Sequence, residues 1–192
     1  RYDNIYVNGG LEVIAGVHDI AVTDITAQKT IIGQGYTIKI NATVQNQGDF
    51  TETFNVLAYA DRNTTIIGDE IVIGNQIVHS LAEGTSKTLT FTWNTTGVTK
   101  GNYTISVYAT PVSNEMEVED NWLDDCWVLV SCVGDVDGNG KVDIFDIVKV
   151  VAKFLTTPKS PNWNPNCDVD CDNDVDIFDI VKTVANFLCA DP

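Results

Sequence analysis

One stretch of the chain occurs twice. Residues 135–155 read DVDGNGKVDIFDIVKVVAKFL and residues 168–188 read DVDCDNDVDIFDIVKTVANFL, an offset of 33 with 15 of 21 aligned positions identical. An internal repeat exposes the unit of folding, and here the unit is an acidic loop running straight into an apolar helix. Counted from Asp135, oxygen-bearing side chains fall at loop positions 1, 3, 5, 9 and 12: Asp135, Asp137, Asn139, Asp143 and Asp146. The second copy places Asp168, Asp170, Asp172, Asp176 and Asp179 at the same positions. Calcium takes six to eight oxygen ligands, and this alternate spacing wraps a chain around one ion. Position 7 of such a loop contributes a backbone carbonyl, which assigns that role to the main chains of Lys141 and Asp174. Position 6 needs a sharp turn of positive φ, and it is Gly140 in one copy and Asn173 in the other. A single copy would also read as a solvated acidic turn; two copies with matched spacing predict two bound calcium ions.

Two details narrow the motif. Position 12 is Asp in both loops, where an ordinary EF-hand carries a bidentate Glu. No helix leads into either loop: the first follows the alternating stretch WVLVSCVG, and the second follows TTPKSPNWNPN, whose three prolines preclude a regular helix. Each unit is a loop with only its exiting helix. In these features residues 134–190 resemble the dockerin family, in the form found at the C-termini of archaeal secreted proteins. The resemblance implies a pseudo-two-fold pair of calcium loop–helix units, the metal ligands named above, and calcium-dependent docking to a cohesin-like protein. The pattern departs from cellulosomal dockerins at loop positions 10 and 11. Small hydroxyl residues are usual there, whereas this chain has Ile144–Phe145 and Ile177–Phe178. These four become candidates for a more apolar partner contact.

The helices carry one polar stripe each, Asp146, Lys149 and Lys153 in the first and Asp179, Lys182 and Asn186 in the second. The remaining positions are almost all apolar, a face wider than one helix pairing in a small domain buries. Two readings stay open: a tightly packed two-helix core, or a face that packs against another domain or subunit.

The net charge of −16 excludes nucleic-acid binding through a basic patch. No run of about 20 apolar residues is present, so no membrane span is expected. The chain begins at Arg1 and is read as a mature, processed form or a fragment of one. Four sequons, at Asn41, Asn63, Asn94 and Asn102, are glycosylation candidates in a secreted protein. With five cysteines and calcium loops they place the chain outside the cell or on its surface.

Residues 1–16 form an apolar arm in which Ile5, Val7, Leu11, Val13 and Ile14 flank Gly9–Gly10. The arm reads either as a first strand of its own domain or as a strand donated to a neighbouring subunit, with Ile5 and Val7 as contacts. From 17 to 131 short alternating segments follow one another: 18–27, 36–47, 51–59, 64–67, 70–78, 86–93, 102–109 and 127–131. Turn signals separate them and no helical period intervenes, which predicts an immunoglobulin-like antiparallel β-sandwich. The expected fold is therefore mainly β with a small α domain: an arm (1–16), a sandwich (17–131) and a two-fold repeated calcium loop–helix domain (132–192). Within 91–130, Trp93, the turn Gly101-x-Tyr103, Glu115 and Asp120–Asn121 resemble the cell-adhesion-related CARDB family. That resemblance covers about 18–130 and implies a spacer, adhesion or assembly role without a reaction. The acidic cluster Glu115, Glu117, Glu119, Asp120, Asp124 and Asp125 is a candidate for a third cation, although it lacks a firm loop spacing.

Cys126 and Cys132 lie on one strand roughly 20 Å apart when extended, too far for a bridge. The dockerin arrangement brings the two ends of that domain together, which implies a Cys132–Cys189 disulfide. Cys167–Cys171 would staple the start of the second loop, leaving Cys126 buried or bonded to another chain. His18 and His79 are read as structural. No nucleophile elbow, His-centred base or phosphate loop is apparent, so no catalysis is expected. The two functional readings are an extracellular filament or surface-array subunit that contacts other copies of itself, and an anchoring module for a cohesin-like partner.

Overall fold

In the sandwich, strict alternation puts every second side chain into one core. The computed structural model describes the backbone pairing of residues 3–7 and 10–14 and the full structure of residues 16–62 and 70–191. The strands, in chain order, are β1 (Asp3–Val7), β2 (Gly10–Ile14), β3 (Ile20–Ala27), β4 (Ile31–Gly33), β5 (Thr37–Asn46), β6 (Glu52–Asp61), β7 (Ile71–Leu81), β8 (Ser86–Asn94), β9 (Gly101–Ala109) and β10 (Trp122–Ser131). Along β5 the buried apolar set is Ile38, Ile40, Ala42 and Val44, and along β9 it is Tyr103, Ile105, Val107 and Ala109. A three-stranded sheet, β3-β5-β8, faces a five-stranded sheet, β4-β10-β9-β6-β7. Between them pack side chains such as Ile20, Ile40, Val56, Phe91, Ile105 and Val128. Each large apolar side chain fully buried there contributes about 1.5–3 kcal/mol.

Two features depart from the expected sandwich. The edge strand β4 runs parallel to β10, with Leu129 opposite Ile31 and Ser131 opposite Gly33. It arises because the chain leaves the first sheet after β3 and crosses at once to the second, so the pair is not joined by a hairpin. The last strand also begins at Trp122 rather than 127, because a bulge between Asp124 and Cys126 interrupts its alternation. In the arm, β1 pairs antiparallel with β2, from Asp3 opposite Ile14 to Val7 opposite Gly10. Its strand partner is therefore within the arm itself, rather than in the sandwich sheets. The side chains of Ile5 and Val7, the sequon at Asn63 and the segment 64–67 lie outside the described residues.

Beyond β10 come helices α1 (Ile144–Val151) and α2 (Ile177–Ala185), with a short 3-10 turn at Pro165–Cys167. Each helix starts at a capping box. Asp143 accepts from Phe145 N–H while Asp146 accepts from Asp143 N–H, and Asp176, Phe178 and Asp179 repeat this. The units then pair reciprocally. Leu155 N–H, after α1, donates to Val175 O in the second loop, and Leu188 N–H, after α2, donates to Val142 O in the first. Both donor and acceptor shift by 33 residues, so two equivalent units clasp each other about a pseudo-two-fold axis. A small core of Val136, Val150, Cys167, Val169 and Val175 lies between them.

Candidate metal centres and an outward apolar face

The loops fold as their turn residues require. Gly140 and Asn173 at position 6 hold φ of +80° and +75°. Position 4 is left-handed as well, at Gly138 (+75°) and Cys171 (+64°), which the sequence reading missed. These turns aim main-chain N–H groups at the first carboxylate. Asp135 Oδ1 accepts from Gly138 and Asn139 and its Oδ2 from Gly140, while Asp168 accepts from Asp172 and Asn173. The last carboxylate closes the loop from the helix side. Asp146 Oδ1 accepts from Val136 and Asp137, and Asp179 Oδ1 from Val169 and Asp170.

Three groups of carboxylates have ligand atoms within 4.8 Å of one another: Asp135, Asp137 and Asp146; Asp168, Asp170 and Asp172; and Asp174, Asp176 and Asp179. The structure thus places the Asp174 carboxylate beside Asp176 and Asp179, where only its main chain was expected to take part. Asn139 turns its Oδ1 to Lys141 N–H, and Asp143 is occupied with capping α1. In the second loop Asp170 Oδ1 and Asp174 Oδ1 are shielded from water and have no hydrogen-bond donor. Two buried, donorless oxygens among all-oxygen neighbours fit a hard cation. Burial pushes the carboxyls of Asp146, Asp168 and Asp179 above their ordinary range, and neighbouring aspartates push the same way. The Lys149 and Lys182 ammonium groups offset little of this: they reach only Asp137 (2.7 Å) and Asp170 (3.5 Å) from the exposed side.

The helices are inside out. Their buried residues are Asp146 and Val150 in α1 and Asp179 and Thr183 in α2. Large apolar side chains on the helices and in the turns that follow them point outward in six repeat-related pairs: Ile144 and Ile177, Phe145 and Phe178, Val148 and Val181, Val151 and Val184, Phe154 and Phe187, Leu155 and Leu188. Phe145 and Phe178 are 66% and 61% exposed, and Leu155 and Leu188 reach 76% and 79%. Both leucines also hold positive φ, +63° and +70°, a conformation that side-chain-bearing residues adopt at a cost. Of the two readings of the wide apolar stripe, the two-helix core is therefore not what forms. The carboxylates claim the inner side, and the apolar side is left to face outward.

The sandwich carries its own signature residues. Trp93 and Tyr103 pack edge to face at 5.3 Å, and the Tyr103 hydroxyl donates to Thr99 O at 2.7 Å. Gly101 takes φ +146° and lies against the Arg62 side chain. Glu115 Oε1 accepts from Ile20 N–H and its Oε2 from Val112 N–H, tying the acidic segment to the start of β3. The sequence profile of CARDB matches residues 17–122.

The chain belongs to the CARDB family. A CARDB domain from Pyrococcus furiosus, crystallised in complex with di-metal ions, is 23% identical over 60% of this chain and 96% of that one, with a TM-score of 0.47. Its solution structure gives 24% identity over 59% and 95%, with a TM-score of 0.45. A GH3 β-glucosidase from Bifidobacterium adolescentis is 20% identical over 65% of this chain but only 18% of its own, with a TM-score of 0.44. No curated protein matches the chain. CARDB is an adhesion-related, non-catalytic module family. Among the described residues no helix is long and apolar enough to cross a membrane.

Where the CARDB sandwich meets the loop–helix pair, residues that the sequence did not single out make the joint. Lys29, 3% exposed, donates from Nζ to Asp168 O and lies 3.3 Å from Cys171 Sγ. Asn166 accepts from Thr30 and Ile31 N–H and donates to Thr30 Oγ1. The Ser131 hydroxyl lies within hydrogen-bond reach of both Asp135 and Asp191, and Lys100 pairs with Asp191 at 3.2 Å. None of these belongs to a motif, so only the fold reveals them. Cys132 and Cys189 form a disulfide beside Lys100. Cys167 and Cys171, expected to bridge, are separate thiols. Cys167 is buried in the small core, whereas the left-handed turn at Cys171 carries its sulfur to Lys29. Burial raises the Cys167 thiol to about 11, so it stays protonated. Cys126 is half-buried and its Sγ lies 3.9 Å from Trp127 O. His18 stacks on Phe50 and bonds Glu52, in keeping with a structural role. Of the sequons, Asn94 and Asn102 are exposed, while Asn41 is half-buried and accepts from Thr90 Oγ1.

Proposed function

We propose that the chain is a non-catalytic extracellular structural subunit: a CARDB sandwich joined to a dockerin-like domain that binds two calcium ions and presents an apolar face to other copies of the chain in a filament or surface array. The observation that carries this reading is the set of six repeat-related apolar pairs turned outward on α1, α2 and the turns that follow them. Exposed apolar side chains repeated in this way on both units mark an interaction site. The first ion is assigned to Asp135, Asp137, Asn139, the Lys141 carbonyl, Asp143 and Asp146. The second is assigned to Asp168, Asp170, Asp172, the Asp174 carbonyl, Asp176 and Asp179. When bound, calcium supplies charge compensation for carboxylates that otherwise repel. The residues themselves hold the loop against the helix N-terminus, which fixes the spacing of Ile144, Phe145, Ile177 and Phe178 on the outer face. Calcium binding is then part of the folding free energy of this domain.

A second reading is favoured by the same exposed faces on a dockerin-like frame: an anchoring module that captures a cohesin-like partner. Electron microscopy of the native protein, with and without a calcium chelator, separates the two. Filaments or sheets that fall apart on chelation support the first. Dispersed monomers under both conditions refute self-assembly and direct attention to a cohesin-like partner.

A further inference from the structure

Where β3 begins and the chain enters β10, three oxygen atoms lie buried without a hydrogen-bond donor: Asp19 Oδ1, Asp120 Oδ1 and Asn121 Oδ1. Asn121 is 0% exposed. Its amide nitrogen is fully committed, donating to Ala109 O at 3.3 Å and to Glu115 Oε1 at 3.2 Å. That fixes the amide the right way round, since a flip would set Oδ1 against two other acceptors. Its oxygen is therefore a buried acceptor in need of a positive partner. The three residues are neighbours in the fold. Ile20 N–H, next to Asp19, shares the Glu115 oxygen that Asn121 contacts, and Val22 N–H donates to Asp120 O. Glu115 is itself satisfied, with both oxygens accepting N–H groups.

Electrostatics add to the case. The Asp19 carboxyl is pushed up by burial, then by Glu115 and Glu117. That of Asp120 is pushed up by burial, then by Asp19, with Glu117 adding to it. Among the described residues no Lys, Arg or His forms an ion pair with Asp19, Glu115, Glu117 or Asp120. Asp120 Oδ2 accepts from the Gln47 amide at 3.5 Å.

We propose that Asp19, Asp120 and Asn121 form a further site for a hard divalent cation, separate from the two loops, that pins the start of β3 to the start of β10. The donors are all oxygen, which selects calcium, magnesium or manganese over zinc or copper. Glu115 is the positioning residue, because it orients Asn121 and the main chain beside Asp19. The sequence reading included Glu115 and Asp120 in a possible cation cluster. The fold adds Asp19 and Asn121, and it leaves out Asp124, whose carboxylate accepts from Trp122 Nε1.

Equilibrium dialysis of the full chain against calcium, with metal counted per chain, tests this. D19N/D120N, which keeps size and shape, is expected to bind one ion fewer than the parent. A loop variant, D135N/D146N/D168N/D179N, is expected to retain one ion, and its sandwich melting temperature is expected to rise with calcium. The difference of one ion is readable whatever number the loops take. Equal counts in parent and D19N/D120N overturn the proposal, as does a loop variant that holds no ion. D19N/D120N that binds as many ions as the parent and melts higher assigns the pair to a shared proton instead, which also overturns it.

Discussion

Reducing the Cys132–Cys189 bridge tests whether the C-terminal units fold as one clasped domain. The bridge closes a sequence separation of 57. Loop-closure entropy for that length amounts to about 14 cal/mol/K, or about 4 kcal/mol at room temperature. The effect acts on the unfolded chain, so it should appear wherever residues 133–191 open as a unit. A loss of about 4 kcal/mol is roughly a thousandfold in the opening equilibrium. Hydrogen exchange of C132S/C189S, read by mass spectrometry in saturating calcium, should show the most protected peptides of 142–151 and 175–185 exchanging roughly a thousandfold faster. Peptides from β5 and β9, whose core is in the sandwich, should be unchanged. Unchanged protection across 133–191 would refute the reasoning, because the bridge would then constrain nothing that the reciprocal Leu155–Val175 and Leu188–Val142 bonds do not already hold.

Replacing Phe145 and Phe178 by Asp removes about 1.5 kcal/mol of apolar burial per site from any contact that covers them, so sedimentation velocity should show assembly weakened at least tenfold per substitution with calcium loading intact. Lys29→Met leaves Asp168 O without its buried partner, and differential scanning fluorimetry should register a fall of several degrees. In chelator, Asp146, Asp168 and Asp179 have folded-state pKa values raised above the ordinary 3.8. The folded domain then binds more protons than the unfolded chain between those raised values and 3.8, so apo stability should increase as pH falls through that window. A calcium-free denaturant midpoint for 133–191 that falls as the pH is lowered towards 3.8 would contradict this.

The loops were legible because everything they need is local. Carboxylate spacing, the turn at Gly140 or Asn173 and the Asp143 or Asp176 cap all lie within twelve residues, and the repeat states them twice. The long strands were legible for a similar reason, since the alternation along β5 survives at every position. What escaped depends on contacts distant in sequence. Ile31–Gly33 is three residues long and becomes a strand only because β10 lies beside it. The bulge before Cys126 broke the period that would have extended β10 to Trp122. Lys29 is an isolated lysine whose burial requires a loop 139 residues away. The helices show the subtler limit: a period of 3.6 marks two faces but does not say which one turns inward. Here the minority polar face is buried, because Asp146 and Asp179 must reach back into their loops.

The central claim is that the outward apolar face of α1, α2 and the turns that follow them is covered by a neighbouring copy in the native assembly. Hydroxyl-radical footprinting of native material, compared with dispersed chain in the same calcium buffer, measures this directly at Phe145, Phe154, Phe178 and Phe187. The account predicts strong protection of these four in the assembly, with Trp93, already buried in the sandwich, unreactive in both states. Equal labelling of the four phenylalanines in assembled and dispersed protein would contradict it.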